Sequence, residues 1–288
     1  MEGEAAGGLG LALGAMMLLG FTDLVYKRGA AAGVRAHHFL MLQGWCFLPG
    51  VVLYGLCTGT LELAPYMLWG AAAGFFVFVA LYNFARALSG GSVSVIAPIF
   101  RLSFTVTTAL AILLLGEPLT HWKIMGIAAA LAAVWLLLGA DGGTAPANAS
   151  TRSALARAIV AMTSMGVANF LYKVGAATGG NPATFIAGQA VMFMPLATAF
   201  AWKMESAIRP PRLGWRYAAT AAALFLIALV MLFESLAQGQ ASVLVPISQM
   251  GFVVTAAVGI MLLREPVTVR KAAGLACAVA ALACLAHS

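Results

Sequence analysis

Charge is what this 288-residue sequence has least of: Asp and Glu number 9, Lys and Arg 16, together 9 % of the chain. Soluble domains carry about 25 % charged side chains, so an ordinary water-soluble globule is excluded. Aspartate occurs twice, at Asp23 and Asp141, which leaves paired-aspartate proteolysis and aspartate-rich prenyl transfer without their residues. Neither HExxH nor GxSxG is present, and of the four histidines His37 and His38 adjoin at a helix end. The sequence therefore reads as a protein that is not an enzyme, with no catalytic residues. Its four cysteines supply neither a disulfide framework nor a CxxC metal motif. Cys46 and Cys57, and Cys277 and Cys284, lie roughly 16 and 10 Å apart along their helices, too far to bridge. No metal site and no cofactor is expected.

Apolar residues are what the sequence has in excess, at 62 % of the chain with a mean hydropathy of +0.97. The excess runs along the whole length, as in a multi-pass membrane protein. The net charge of +7 comes from Lys and Arg scattered at the edges of apolar runs, which is a topology pattern and not a nucleic-acid face. A bilayer core of about 30 Å needs roughly 20 apolar residues in helix. That ruler gives ten candidate spans, at 8–26, 37–57, 66–87, 93–115, 121–139, 154–173, 183–203, 214–235, 242–263 and 270–286. The first run is preceded by Glu2 and Glu4, the wrong charge for a secretory leader, and reads as a retained span. The runs are continuous, which excludes a membrane β-barrel. Thirteen Lys and Arg fall in the connections after odd-numbered spans, against Lys123 and Lys173 on the other side, which by the positive-inside rule puts both termini outside the cell.

The two halves are copies. Residues 20–49 match 166–195 with 11 identities in 30, among them Gly20 with Gly166, Tyr26 with Tyr172, Lys27 with Lys173 and Gln43 with Gln189. Residues 94–126 match 242–274 with 16 identities in 33, among them Pro98 with Pro246, Glu117-Pro118 with Glu265-Pro266 and Lys123 with Lys271. A linker over 141–153, DGGTAPANASTRS, separates a first five-helix repeat at 1–140 from a second at 154–288. Five is odd, so the second copy starts on the opposite face. The expected fold is an all-α membrane protein of ten transmembrane helices arranged as two inverted five-helix repeats, with a substrate site between them reached alternately from either face.

A charge near the bilayer centre costs about 2.5 to 3.5 kcal/mol on insertion scales, so polar residues inside the spans are the candidate substrate-binding set. Asp23 stands four residues before Lys27 on one helix face, with Asn169 and Lys173 as copies. Arg101, a fixed cation for a carboxylate or phosphate, has Gln249 as its copy, and Arg86 has Glu234. Glu234 is a candidate proton-coupling carboxylate or the partner of a substrate amine, and pairing with internal arginines is the equal alternative. Gln43, Gln189, Asn83 and Asn169 add hydrogen-bonding groups; Tyr26, Tyr82, Phe100, Phe104, Tyr172 and Phe252 are candidate pocket walls or core packing. Pro98 and Pro246, with Pro49 and Pro195, bend their helices. Lys27 and Lys173 read equally as snorkelling lysines, and Glu117 and Glu265 as signals for the start of the following helix. Gly126 with Ala130, and Gly274 with Ala278, suit close helix packing.

With these motifs in view, the sequence resembles the EamA type of the drug/metabolite transporter superfamily and is similar to exporters of aromatic amino acids and metabolites. The carriers are the glycine seven residues before a lysine (Gly20 and Lys27, Gly166 and Lys173) and the LLLGEPLT and LLREPVT turns that lead to Gly126 and Gly274. The resemblance implies ten helices, a cavity lined by helices 1, 3, 4, 6, 8 and 9, and termini in the cytoplasm, opposite to the charge count. The sequence departs from the family pattern at Leu19 and Met165, where tryptophan is usual, at Arg264 in place of a glycine, and in lacking the helix-2 arginine near Gln43.

The expected function is a secondary transporter in the cell inner (plasma) membrane, exporting or exchanging a small amphipathic metabolite such as an amino acid. Arg101 with Glu234 or Asp23 would hold its two charges. Alternatives are an exporter of cationic or aromatic drugs and a flippase for lipid or lipid-linked sugar. The expected partners are a small-molecule substrate, the lipid bilayer and, as a candidate coupling ion, a proton, in a monomer or homodimer.

Overall fold

A computed structural model describes residues 2–88, 93–138, 149–205, 212–263 and 269–287. Every regular element among the described residues is helical. The first half holds α1 (Glu2–Ala31), α2 (Ala36–Thr58), α3 (Met67–Leu88), α4 (Val93–Arg101), α5 (Ser103–Leu115) and α6 (His121–Leu138). The second holds α7 (Ala149–Ala177), α8 (Pro182–Met204), α9 (Arg212–Gln238), α10 (Ala241–Gln249), α11 (Gly251–Leu263) and α12 (Val269–Ala286). Six of these, α1, α2, α3, α7, α8 and α9, are long and apolar enough to cross a membrane, and the others contribute shorter apolar helices. Glu265 and most of the 141–153 segment lie outside the described residues, as does the side chain of Pro98.

The spans expected to be continuous over 93–115 and 242–263 are each interrupted. The breaks fall at Leu102 (φ −70, ψ 0) and Met250 (φ −78, ψ 15), equivalent positions of the two repeats close to the bridge region of backbone space. At both, the amide bonds three residues back instead of four: Leu102 N–H to Ile99 O and Met250 N–H to Ile247 O, each 3.1 Å. Pro246 precedes its break by four residues, and its ring removes a helical bond to the carbonyl of Ser242. The sequence pattern showed the prolines but not the break, because the apolar run resumes directly after the single polar residue at each joint, Arg101 and Gln249.

The helices of one half pack on those of the other in exchanged pairs. α3 lies against α7 and α8, while α9 lies against α1 and α2; α5 packs on α7, and α11 on α1. Two further contacts join equivalent helices, α2 with α8 and α6 with α12. Both of those pairs run antiparallel. Trp122 at the start of α6 meets His287 just past the end of α12, ring centroids 5.8 Å apart, and Arg270 at the start of α12 donates to the carbonyl of Trp135 near the end of α6, 3.0 Å. The start of α2 meets the end of α8 through Arg35 and Glu205.

Glycine makes the α1–α11 and α7–α5 crossings close. A Cβ on Gly20 would lie 2.6 Å from both the Gly251 carbonyl and Val254 Cβ; one on Gly166 would lie 2.7 Å from the Ser103 carbonyl and 2.5 Å from Val106 Cβ. These are the same contacts in the two copies. Thr107 Oγ1 donates to the Gly166 carbonyl at 2.9 Å and Thr255 Oγ1 to the Gly20 carbonyl at 3.1 Å, so the carbonyl uncovered beside each glycine gains a second donor from the opposite half. Gly126 sits against Leu285 and Ala281 of α12, the close packing its small-residue pattern implies.

Candidate functional site

Two equivalent polar clusters are built from α1, α2 and α4 in the first half and from α7 and α8 in the second. In the first, the spacing of three residues puts Asp23 and Tyr26 on one face of α1. Arg101, the last residue of α4, reaches across to donate to Asp23 Oδ2 in a direct ion pair whose side chains are 21 % and 24 % exposed. Tyr26 Oη donates to Gln43 Oε1 at 2.8 Å, and its ring meets Phe39 edge-on with centroids 4.9 Å apart. The break at Leu102 follows Arg101 directly, so the guanidinium sits at the joint of the broken helix.

The second cluster repeats this frame with neutral groups. Tyr172 Oη donates to Gln189 Oε1, the Tyr172 ring meets Phe185 edge-on with centroids 4.7 Å apart, and Asn169 and Gln249 occupy the places of Asp23 and Arg101. Here Asn169, Tyr172 and Gln189 are buried, and Asn169 Nδ2 has no hydrogen-bond partner. Gln249 is half-buried at the end of α10. The copies thus differ in charge and in access: one holds a half-buried ion pair, the other a buried group of Asn169, Tyr172 and Gln189.

Charged side chains also close helix ends, Glu117 across the interface between the halves and Lys173 within the second half. Glu117 is buried; Oε1 accepts from the Ala241 amide at 2.8 Å, and Oε2 accepts from the Ser242 amide at 2.9 Å and from the Ser242 hydroxyl. It caps the N-terminus of α10, where the unpaired amides and the helix dipole favour an anion. This differs from the expected signal for its own following helix. Lys173 Nζ donates to the carbonyls of Leu236 at 2.8 Å and Gly239 at 2.6 Å, closing the C-terminus of α9 instead of snorkelling. Lys123 Nζ donates to the Pro118 carbonyl at 2.7 Å and to Gln240 Oε1. Lys173→Met is expected to lower stability by about 2 kcal/mol, since two part-buried carbonyls lose charged donors worth roughly 1.5 kcal/mol or more each and recover part by rearrangement. Thermal unfolding in detergent measures this; an unchanged midpoint would show the capping bonds to be without weight.

At each end of the α2–α8 pair an acidic residue of one half meets the helix start of the other. At one end, Thr184 Oγ1 donates to the Glu62 carbonyl at 3.1 Å, Asn181 Nδ2 donates to Tyr66 Oη at 2.7 Å and Tyr66 Oη donates to Glu62 Oε1. At the other, Arg35 donates to Glu205 Oε1, His37 Nε2 lies 2.8 Å from the same oxygen, and His38 Nε2 lies 3.2 Å from Glu205 Oε2. The His37 hydrogen bond first, and that from Arg35 after it, hold the Glu205 carboxyl below its ordinary range against the opposing effect of desolvation.

The EamA-like transporter family model matches residues 6–139 and again 152–286, nearly the whole chain in two passes. The chain belongs to the EamA-like transporter family. It is accordingly a multi-pass membrane protein of a family that transports small molecules, and it carries that family's domain twice. No curated protein matches. Among solved structures 28 chains match. One of them, described simply as the crystal structure of a protein, superposes with a TM-score of 0.81 at 18 % identity, covering 95 % of this chain and 96 % of that one, and shares its fold.

Within this EamA-like frame the residues singled out in the sequence separate into groups. Asp23, Gln43 and Arg101 come together with Tyr26, and Asn169 and Gln189 with Tyr172. Asp23 is bonded to Arg101, and Lys27, four residues on, is exposed. Glu234 does not join them. Its neighbour Ser235 donates to the Gly8 carbonyl at 2.8 Å, which places it about 20 Å along α1 from Asp23 at roughly 1.5 Å per residue. Asn83 turns back to donate to its own helix at the Val79 carbonyl, 2.8 Å. Tyr82 packs edge-on against Phe200, centroids 4.9 Å apart, next to Phe78. Pro246 is buried within α10. Thr107, Thr255 and Glu205 went unnoticed in the sequence. The threonines are identical in register between the repeats and were visible there; Glu205 has no such signal, because its partners Arg35, His37 and His38 lie in the other half of the sequence.

Proposed function

We propose that the protein is a secondary transporter of ten spans, counting α4 with α5 and α10 with α11 as single crossings, that exports or exchanges a small amphipathic metabolite such as an amino acid across the inner (plasma) membrane by alternating access. The observation that carries this reading is the Asp23–Arg101 ion pair at the joint of a broken helix, set against the buried, neutral Asn169 cluster at the equivalent place in the other half. A guanidinium offers a planar donor fork for a carboxylate, and a carboxylate accepts from an ammonium group. A zwitterion can therefore replace the internal pair by making both bonds itself. The antiparallel α2–α8 and α6–α12 pairs support repeats inverted about an axis in the membrane plane, the arrangement in which exchanging the conformations of the two copies moves access from one face to the other. Half-burial of the first cluster and burial of the second supports a state in which the copies already differ. Glu234, apart from the pair, is the coupling carboxylate in this scheme.

Proteoliposomes loaded with labelled amino acids test the reading. Asp23→Ala and Arg101→Ala each leave a lone charge in a span and are expected to lower both stability and transport. The double variant Asp23→Asn with Arg101→Gln, which installs the chemistry of Asn169 and Gln249, is expected to unfold close to the wild-type temperature while transport falls to background. Wild-type transport by that double variant would remove the pair from the substrate site.

A second reading, export of cationic or aromatic drugs, is favoured by the cluster of Phe78, Tyr82, Phe193 and Phe200 where α3 meets α8. It makes Arg101 dispensable and Tyr82 not, so resistance conferred by Arg101→Ala but lost in Tyr82→Ala would select it.

A further inference from the structure

The two ends of the α2–α8 pair are equivalent by the repeat, yet they are closed by different chemistry. At the first end the positions are Asn181, Ala183 and Thr184. Thr184 is fully buried; its hydroxyl donates to the Thr60 and Glu62 carbonyls and accepts from the Glu62 amide. The same positions at the second end are Arg35, His37 and His38. There His38, 3 % exposed, carries a buried Nε2 that makes no hydrogen bond, pointing at Glu205 Oε2 from 3.2 Å. Nε2 is thus within ion-pair reach of the carboxylate but lacks the alignment of a hydrogen bond, and the equivalent end shows that the fold can close with fully aligned bonds instead.

We propose that His37, His38 and Glu205 form a zinc site. One ligand atom from each residue lies within 4.8 Å of the others, and Nε2 of both rings already faces the carboxylate at 2.8 Å and 3.2 Å. Around tetrahedral zinc, with bonds of about 2.0 to 2.1 Å, neighbouring ligand atoms stand roughly 3.3 Å apart, so small movements suffice. Two imidazoles and one carboxylate suit Zn²⁺ and leave its fourth position for water. The Arg35 side chain, 66 % exposed, occupies Glu205 Oε1 and swings into solvent when the ion binds. A bound ion ties the first turn of α2 to the end of α8, one half of the molecule to the other, and bolts this end of the pair.

The test uses the full-length, tag-free protein in detergent, stripped with chelator and titrated with ZnCl₂. One zinc per chain by elemental analysis and a concentration-dependent rise in melting temperature are expected, with no comparable rise from MgCl₂, whose ion prefers oxygen ligands. His38→Ala and Glu205→Gln are expected to weaken zinc binding at least tenfold, about the loss known for perturbing a metal's supporting groups. Arg35→Ala removes a competitor for Glu205 and is expected to bind zinc more tightly, a gain that a misfolded variant cannot produce. Equal zinc binding by wild type and a His37→Ala/His38→Ala variant, absence of binding, or unchanged or weaker binding by Arg35→Ala would overturn the site.

Discussion

Glu117→Ala is expected to be the most damaging single substitution considered, lowering stability by about 4 kcal/mol, from three charge-assisted bonds at roughly 1.5 kcal/mol each. The carboxylate accepts from two backbone amides and one hydroxyl at the start of α10, all buried. Alanine leaves those donors facing no acceptor and removes the anion from the positive end of the helix dipole. Glu117→Gln keeps the shape and one acceptor oxygen and is expected to lose about half as much. Thermal unfolding of detergent-purified protein reads both; a Glu117→Ala variant that melts with the wild type would mean that α10 is held by packing alone. Because the cap lies on the opposite half from its helix, the loss is also expected to loosen the two halves, seen as faster proteolysis between them.

Gly166→Val is expected to follow, at about 3 kcal/mol, the upper end of the usual range for overpacking. The obstacle is backbone: a Cβ there would lie 2.7 Å from the Ser103 carbonyl, besides 2.5 Å from Val106 Cβ. Neither α5 nor α7 can move away without breaking the bond from Thr107 to the Gly166 carbonyl. Gly20→Val meets the equivalent obstacle at Gly251 and Val254 and is expected to cost a similar amount. Melting temperatures within a degree of wild type for both would contradict the close crossing.

These two positions also show how much the sequence disclosed. Gly20 and Gly166, Tyr26 and Tyr172, Gln43 and Gln189 were all found by aligning the halves, and each pair makes equivalent contacts. Register alone carried that information, since a duplicated chain repeats the contacts it needs. The helical interruptions were not legible, because a single polar residue at each joint, Arg101 and Gln249, does not interrupt the apolar run that continues beyond it. The role of Glu117 was misread for a related reason: its sequence neighbours suggest the next helix, while its true partner is 124 residues downstream. Asp23 and Arg101 were both singled out, but their pairing was not, as 78 residues separate them. Local pattern names the polar residues; which of them meet depends on how the halves are laid together.

The exchanged packing of α3 on α7 and α8, mirrored by α9 on α1 and α2, has an evolutionary corollary. Neither half owns the surface that satisfies it: the notch at Gly20 is filled by the second half, and the notch at Gly166 by the first. An ancestor with a single unit would have had to find its complement in a sister molecule inserted upside down. The two halves can therefore match in shape without matching in chemistry, a charged pair in one standing where the other has uncharged residues in sequence.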